Sequence, residues 1–560
     1  MRNQSKLKPE RRAILLFVFL FCFSTFSFSA TYTSTAAGGN WSAGATWVGG
    51  VAPPTGTAND VVIATTGLGA VTLTGNWACR SLTVNANSLL TITGGAVVLT
   101  VNASFVVPAS TNNGTINGTG KLSVGVWSGG FTNSSTGVVS LASYASTLVT
   151  TNNGSFSTTT DINCGGNFSN TASTAVLYIG GTSTFSASLL STTSSSTVNY
   201  NGAAQNIKGG GAASYANLTL SGSGTKTLVT GNATIGENLV ISGTASFNPS
   251  TNNFDVSVGS NWTVTSTAAD PFVQGTRTVT FNGSGYQNLS TVLAGGETFY
   301  NLVINSVGDV VQVSATDVTV TNTLTMTKGL WNINGRTFTL GASGAASTLT
   351  YTAGWFYGGT LKRYWPTGTT ITAANYGLFP MGTQNASTYR PIQITSSANI
   401  TASVFFTVNH VDATTVTDFS AVNDGGTNIT RKSDAQFLTT LSAGTGAATY
   451  TVTATMTGLA PGTASDIRLA KNSGATVVVV GAYVANTGTA QTPVVSRTGI
   501  TSAQLLTNID FRVVSTNPGA TPLRNIFYSR NGGGNWNAAA TWSTVGCGGG
   551  SRHFHSRCYG

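Results

Sequence analysis

The chain has 560 residues, a length that one compact core does not serve, and only 7% of them are charged although 40% are hydrophobic. Disorder is excluded, because it needs the opposite balance. Of the formal net charge of +10, +4 lies before position 30, and the 20 basic and 14 acidic residues after position 29 are scattered one or two at a time, so nucleic-acid binding has no electrostatic footprint. Val, Thr, Asn and 68 Gly dominate, a composition that favours pleated strands and tight turns.

Residues 1–29 read as a secretory signal. Arg2, Lys6, Lys8, Arg11 and Arg12 precede an apolar run from Ala13 to Phe21, and Ser27 and Ser29 fit a cleavage site before Ala30. The run is short for a membrane span, and no later apolar segment is long enough for one. The predicted location is extracellular or at the cell surface.

Residues 30–345 are predicted to form a right-handed parallel β-helix. The segment opens with Gly39-Asn40-Trp41 and Thr46-Trp47. The two indoles suit a cap over the first coil, with a sugar platform as the alternative. Short alternations follow, such as Leu82-Thr83-Val84, Leu90-Thr91-Ile92 and Phe105-Val106-Val107, broken by Asn and Gly. A duplication sets the architecture: 197–248 is replayed by 278–334, with Tyr200 answering Phe281, Asn217-Leu218 answering Asn301-Leu302, and Leu239 answering Leu324. At on the order of 20 to 25 residues per coil, each copy holds about four coils.

Residues 346–520 change character. Trp355-Phe356-Tyr357 and Leu361-Lys362-Arg363-Tyr364-Trp365 precede longer alternations, such as Tyr450 to Met456. A β-sandwich region is predicted, in two halves meeting near Asp424-Gly425-Gly426, with most Asp residues from 412 onward between its strands. Residues 521–560 restart the opener: 534–542 match 39–47 at seven of nine positions before an unrelated tail. This reads as an array cut short. Cys547, His553, His555 and Cys558 in that tail have no common metal-site spacing, so no metal or other cofactor is expected.

The GNW–TW opener, the NLTL and NLVI coil motifs at 217 and 301, and the LKRYW, FPMGT and YRPI series at 361–392 resemble the large repetitive secreted surface proteins of the Bacteroidetes. The opener is also loosely similar to the eight-glycine domain. The resemblance implies export and, in many relatives, release or anchoring through a C-terminal type IX sorting domain.

Chemistry is sparse. The solenoid acids Asp161, Glu237, Asp255, Asp270, Glu297, Asp309 and Asp317 form no DD or DxD pair, and no His precedes His410. Structural turn roles are expected for them, with close pairs Asp309–Asp317 or Asp270–Arg277 as the catalytic alternative. Cys79 and Cys164 are candidates for a disulfide, which export permits, or for two buried thiols. Trp355, Phe356, Tyr357, Tyr364 and Trp365 are the candidate sugar-stacking residues, with packing between domains as the alternative. Threonines repeat as TxT, at 278/280 and 323/325 among others, which fits the solvent face of half-buried strands or an ice-binding ladder. The expected function is structural or adhesive, without catalysis, in contact with polysaccharide or cell-surface glycans. A polysaccharide lyase or glycoside hydrolase of the β-helix type is the alternative.

Overall fold

The computed structural model describes residues 29–102, 109–125, 129–211, 213–313, 316–384, 388–459, 463–506, 508–516 and 523, with a two-residue pairing of Tyr528–Ser529 and Trp542–Ser543. Residues 1–28 of the expected signal sequence, the strand expected at Phe105–Val107 and most of the restarted module expected at 521–560 lie outside the described residues. Strands make up 54% and helix 3%, with about 14 turns of parallel β-solenoid and sandwich-like antiparallel sheets towards the C-terminus. No helix among the described residues is long and apolar enough to cross a membrane.

The chain divides into two compact units, Met1–Thr230 and Gly231–Gly560. In the first, strands of three or four residues alternate partly exposed and buried positions, as in Ser81–Val84 and Leu89–Ile92. Each pairs in parallel with a strand one coil away. Val71, Leu90, Ile116, Val139, Phe156, Leu177, Val198 and Leu218 therefore form one inward column, every member fully buried. Each such side chain contributes about 1.5–3 kcal/mol through burial. The coils vary from 17 residues (Val139 to Phe156) to 32 (Asn40 to Thr72), and the corners absorb the difference. Gly118 is one such corner. Its φ is +121°, and a Cβ there would meet the Ile92 carbonyl oxygen at 2.1 Å.

A buried asparagine ladder runs beside the apolar column. Asn112 Nδ2 donates to Asn133 Oδ1 (2.7 Å), Asn133 to Asn152 (2.8 Å), Asn152 to Asn170 (2.7 Å), and Asn170 to Ser191 Oγ (3.3 Å). Trp41 and Trp47 are buried edge to face at 5.0 Å, and Trp47 Nε1 donates to the Trp41 carbonyl. Their burial matches the capping role and leaves no open indole platform.

The duplicated motifs pair alike in both copies. Thr197–Tyr200 lies beside Asn217–Leu220 with Val198 opposite Leu218, and Thr278–Phe281 lies beside Asn301–Ile304 with Val279 opposite Leu302. Each copy also carries a buried glutamine clamp. Gln205 accepts from Gly202 N and donates to the Ile179 and Gly181 carbonyls; Gln287 accepts from Gly283 N and donates to Val258 and Ser260.

In the second unit the parallel pairing continues past 345. Trp355–Tyr357 pairs with Leu330–Asn332, and Thr360–Trp365 pairs with Thr337–Leu340. The solenoid thus ends about 20 residues later than the composition change indicates. Thr360–Trp365 then takes an antiparallel partner, Val404–Val411, which begins a sheet completed by Thr427–Leu441, Ile509–Ser515 and Ile467–Ser473. A second antiparallel sheet runs through Ile392–Ser396, Thr449–Thr455, Pro493–Thr501 and Ala482–Gly488. Asp424-Gly425-Gly426 does not divide the region into halves. It is the turn of a hairpin in which Asp424 faces Thr427. Asp418, Asp424, Asp434 and Asp510 lie within strands, each beside an arginine, rather than between strands.

Candidate functional site

Parallel stacking turns outward side chains into columns at one coil repeat, about 4.8 Å. In the first unit the three-residue strands Ser110–Asn112, Phe131–Asn133 and Thr150–Asn152 bury their outer positions and present the middle one. Thr83, Thr111, Thr132, Thr151 and Ser169 therefore stand in one half-exposed column. A second outward column contains Asn40, Thr72, Thr91, Asn117, Ser140 and Ser157, and Thr91 Oγ1 donates to Asn117 Oδ1 at 2.9 Å. In the second unit Thr278 and Thr280 align with Asn301 and Val303, then with Thr323 and Thr325, then with Thr348 and Thr350. Three of these four coils show a TxT pair in the same two columns. The variable coil lengths do not disturb this register, because they are taken up at the corners.

Five of the seven candidate solenoid acids are tied into the coil walls. Asp255 Oδ1 accepts from Thr278 N and Asp317 Oδ1 from Thr337 N, each at 2.9 Å, so both cap a strand of the next coil. Asp161 accepts from Ser143 and Thr182 hydroxyls, and Asp309 accepts from the Tyr357 hydroxyl at 2.5 Å. Arg277 donates to the Asn253 carbonyl and the Thr276 hydroxyl, and forms no ion pair with Asp270. Glu297 is enclosed in the core and accepts from Trp262 Nε1 at 3.3 Å. Burial pushes its pKa up to about 8, the indole N–H opposes this, and the nearby charge of Asp270 adds to it. Among the described residues no group of three or more His, Cys, Asp or Glu stands close enough to hold a metal ion.

The five candidate stacking aromatics are enclosed, none more than 8% exposed. Trp355 packs on Tyr389 at 5.7 Å and donates to the Thr383 carbonyl. Phe356 packs on Phe338 at 4.7 Å, Tyr357 is held by Asp309, and Tyr364 meets Phe405 at 5.3 Å. Trp365 stacks on Phe406 of one sandwich sheet at 4.7 Å and on Tyr450 of the other at 6.1 Å. Ring faces used this way are closed to a sugar. The cluster is the packing that joins the last coil to the sandwich.

Cys79 and Cys164 are both free and buried, so the disulfide is not formed. Burial pushes each thiol up to about 12. Other buried polar groups are equally constrained. Lys226 Nζ donates to the Gly202 carbonyl and to Gln205 Oε1, each at 2.7 Å, and burial lowers its pKa to about 8. His410 faces the Gln436 carbonyl through Nδ1 at 3.0 Å and stacks on Phe437; burial, reinforced by Arg390, lowers its pKa to about 4, so it is neutral. Asp424 lies between Arg497, which is 0% exposed, and Arg468.

Comparison with known proteins finds no matching family model, no matching curated protein and no matching solved structure.

Proposed function

We propose that the chain is an exported, non-catalytic structural and adhesive protein whose coil faces contact polysaccharide or the glycans of neighbouring cells. The observation that carries this reading is the in-register column Thr83, Thr111, Thr132, Thr151 and Ser169. Hydroxyls repeated at about 4.8 Å along a weakly charged face offer donors and acceptors to an extended, hydroxyl-rich polymer. The strand-capping roles of Asp255 and Asp317 speak against a carboxylate pair for hydrolysis. The basic and apolar start of the chain supports export.

The test is a polysaccharide screen on residues 30–530 that reads both binding and release of reducing or unsaturated ends. Binding without release, weakened in Thr111→Lys/Thr132→Lys/Thr151→Lys, is the expected result. Release of ends would establish an enzyme and overturn the reading, and binding unaffected by the triple substitution would move the contact off this face.

The TxT pairs aligned at 278/280, 323/325 and 348/350 favour a second reading, an ice-binding face. Thermal hysteresis or ice shaping by the purified chain would support it, and ordinary freezing would end it.

A further inference from the structure

In the antiparallel region, Lys432, Asn472 and Asp510 converge from three strands of one sheet. Thr427–Leu441 and Ile467–Ser473 both pair with Ile509–Ser515. Lys432 is 2% exposed. Its Nζ donates to Asn472 Oδ1 at 2.7 Å, and Asn472 Nδ2 donates to Asp510 Oδ2 at 2.7 Å. Nζ also faces the carbonyls of Gly474 (2.5 Å) and Thr476 (3.4 Å). Arg512 grips Asp510 through Nε and Nη2 and reaches Asp434 through Nη1, which fixes the carboxylate in place.

The arrangement is a nucleophile, an acyl carbon and a proton carrier in the order that transamidation requires. The amine donates to the oxygen of the side-chain amide it would attack, and the nitrogen that would leave points at a carboxylate. Burial, then the charge of Arg512, lowers the pKa of Lys432 against the opposing pull of Asp434 and Asp510, which eases loss of a proton from its ammonium.

We propose that Lys432 and Asn472 join as an intramolecular amide cross-link, with Asp510 carrying the proton. The ammonium of Lys432 first gives up one proton to Asp510. The Nζ lone pair then adds to Cγ of Asn472 and the Nζ–Cγ bond forms. Asp510 passes its proton to Nδ2 as the Cγ–Nδ2 bond breaks. Ammonia departs with the proton left on Nζ, as ammonium, and a secondary amide remains. No oxidant or reductant takes part. The link closes a 40-residue separation between two strands and removes a cation from the interior. It is independent of what the coil faces bind.

The test is peptide mapping of the full chain by mass spectrometry after trypsin. The expected product is residues 432–468 joined to residues 472–497, lighter by one ammonia and uncleaved at Lys432. Recovery of 433–468 and 472–497 as separate peptides from the folded wild-type chain would overturn the proposal. Lys432→Arg keeps the cation and should give no joined product. Asp510→Asn, checked for native circular dichroism, should give separate peptides; equal cross-linking in that variant would remove Asp510 from the reaction.

Discussion

Cys79 and Cys164 occupy the same inward column of the first unit, four coils apart, with Val101, Val124 and Ser146 stacked between them. At about 4.8 Å per coil their separation is roughly 19 Å, far beyond the reach of a disulfide. Both thiols are raised to about 12, so neither forms a thiolate at neutral pH. In a chain carrying Cys547→Ser and Cys558→Ser, electrophoretic mobility should be the same with and without reductant. Iodoacetamide should label Cys79 and Cys164 only after denaturation, and rapid labelling of the native chain would contradict the buried column.

The asparagine ladder should be costly to interrupt. Asn133 donates to Asn152, Gly137 and Ser155 and accepts from Asn112, all inside the wall. Asn133→Ala strands partners on both sides and should destabilise the chain by about 2–4 kcal/mol. Asn133→Asp should cost more, because it replaces a donor with a charge that faces three carbonyl oxygens. Urea midpoints measure both, and equal midpoints for wild type and Asn133→Ala would show that the ladder contributes nothing.

Glu297 makes stability depend on pH in a definite direction. Its folded pKa of about 8 lies above the ordinary 4.5, so the folded state holds a proton that the unfolded state releases. Its contribution is fully present below 4.5 and is lost as pH rises through about 8. Glu297→Gln, which imitates the protonated acid, should match wild type at low pH and exceed it by a few kcal/mol above the folded pKa. Parallel pH profiles for the two chains would show that Glu297 does not carry this dependence.

Asp424 neutralises two buried arginines from opposite sheets of the sandwich. Removing it leaves Arg497 and Arg468 enclosed without a counter-charge, and Asp424→Asn should cost about 3–5 kcal/mol. Asp424→Leu combined with Arg497→Met should recover much of that loss. If the double variant is no better than Asp424→Asn alone, the uncompensated charge is not the cause.

Which parts of this fold a reader of the sequence can find follows from how local their physics is. Leu82-Thr83-Val84 announces a strand because alternation over three residues already defines an inside and an outside. The Cys79–Cys164 column is illegible, since coils of 17 to 32 residues leave no fixed period to count by. Gln205 and Gln287 sit in plain view inside the duplicated NG motifs. A polar residue a few positions past Asn-Gly reads as a turn, and only the coil beneath it supplies the carbonyls that make it a clamp. Trp355 to Trp365 is ambiguous by nature: the same rings suit a sugar or a core, and the partners that decide, Tyr389, Phe406 and Tyr450, are up to 95 residues away from Trp355. Lys432, Asn472 and Asp510 follow one another at separations of 40 and 38 residues and carry no motif, so only strand pairing brings them together.

The strand Thr360–Trp365 changes partner direction between its two edges, and Phe356 exchanges backbone hydrogen bonds with Pro380 and Gly382. A stack of parallel coils has no intrinsic reason to stop, because its last rung exposes the same amide and carbonyl groups that bound the rung before. The chain's return supplies that stop, by antiparallel pairing with Val404–Val411 for Thr360–Trp365 and by a parallel bridge from Phe356 to Met381 for Trp355–Tyr357. It satisfies the terminal amides with the chain's own following segment, so a second molecule finds no free template on either rung and end-to-end polymerisation through them is blocked.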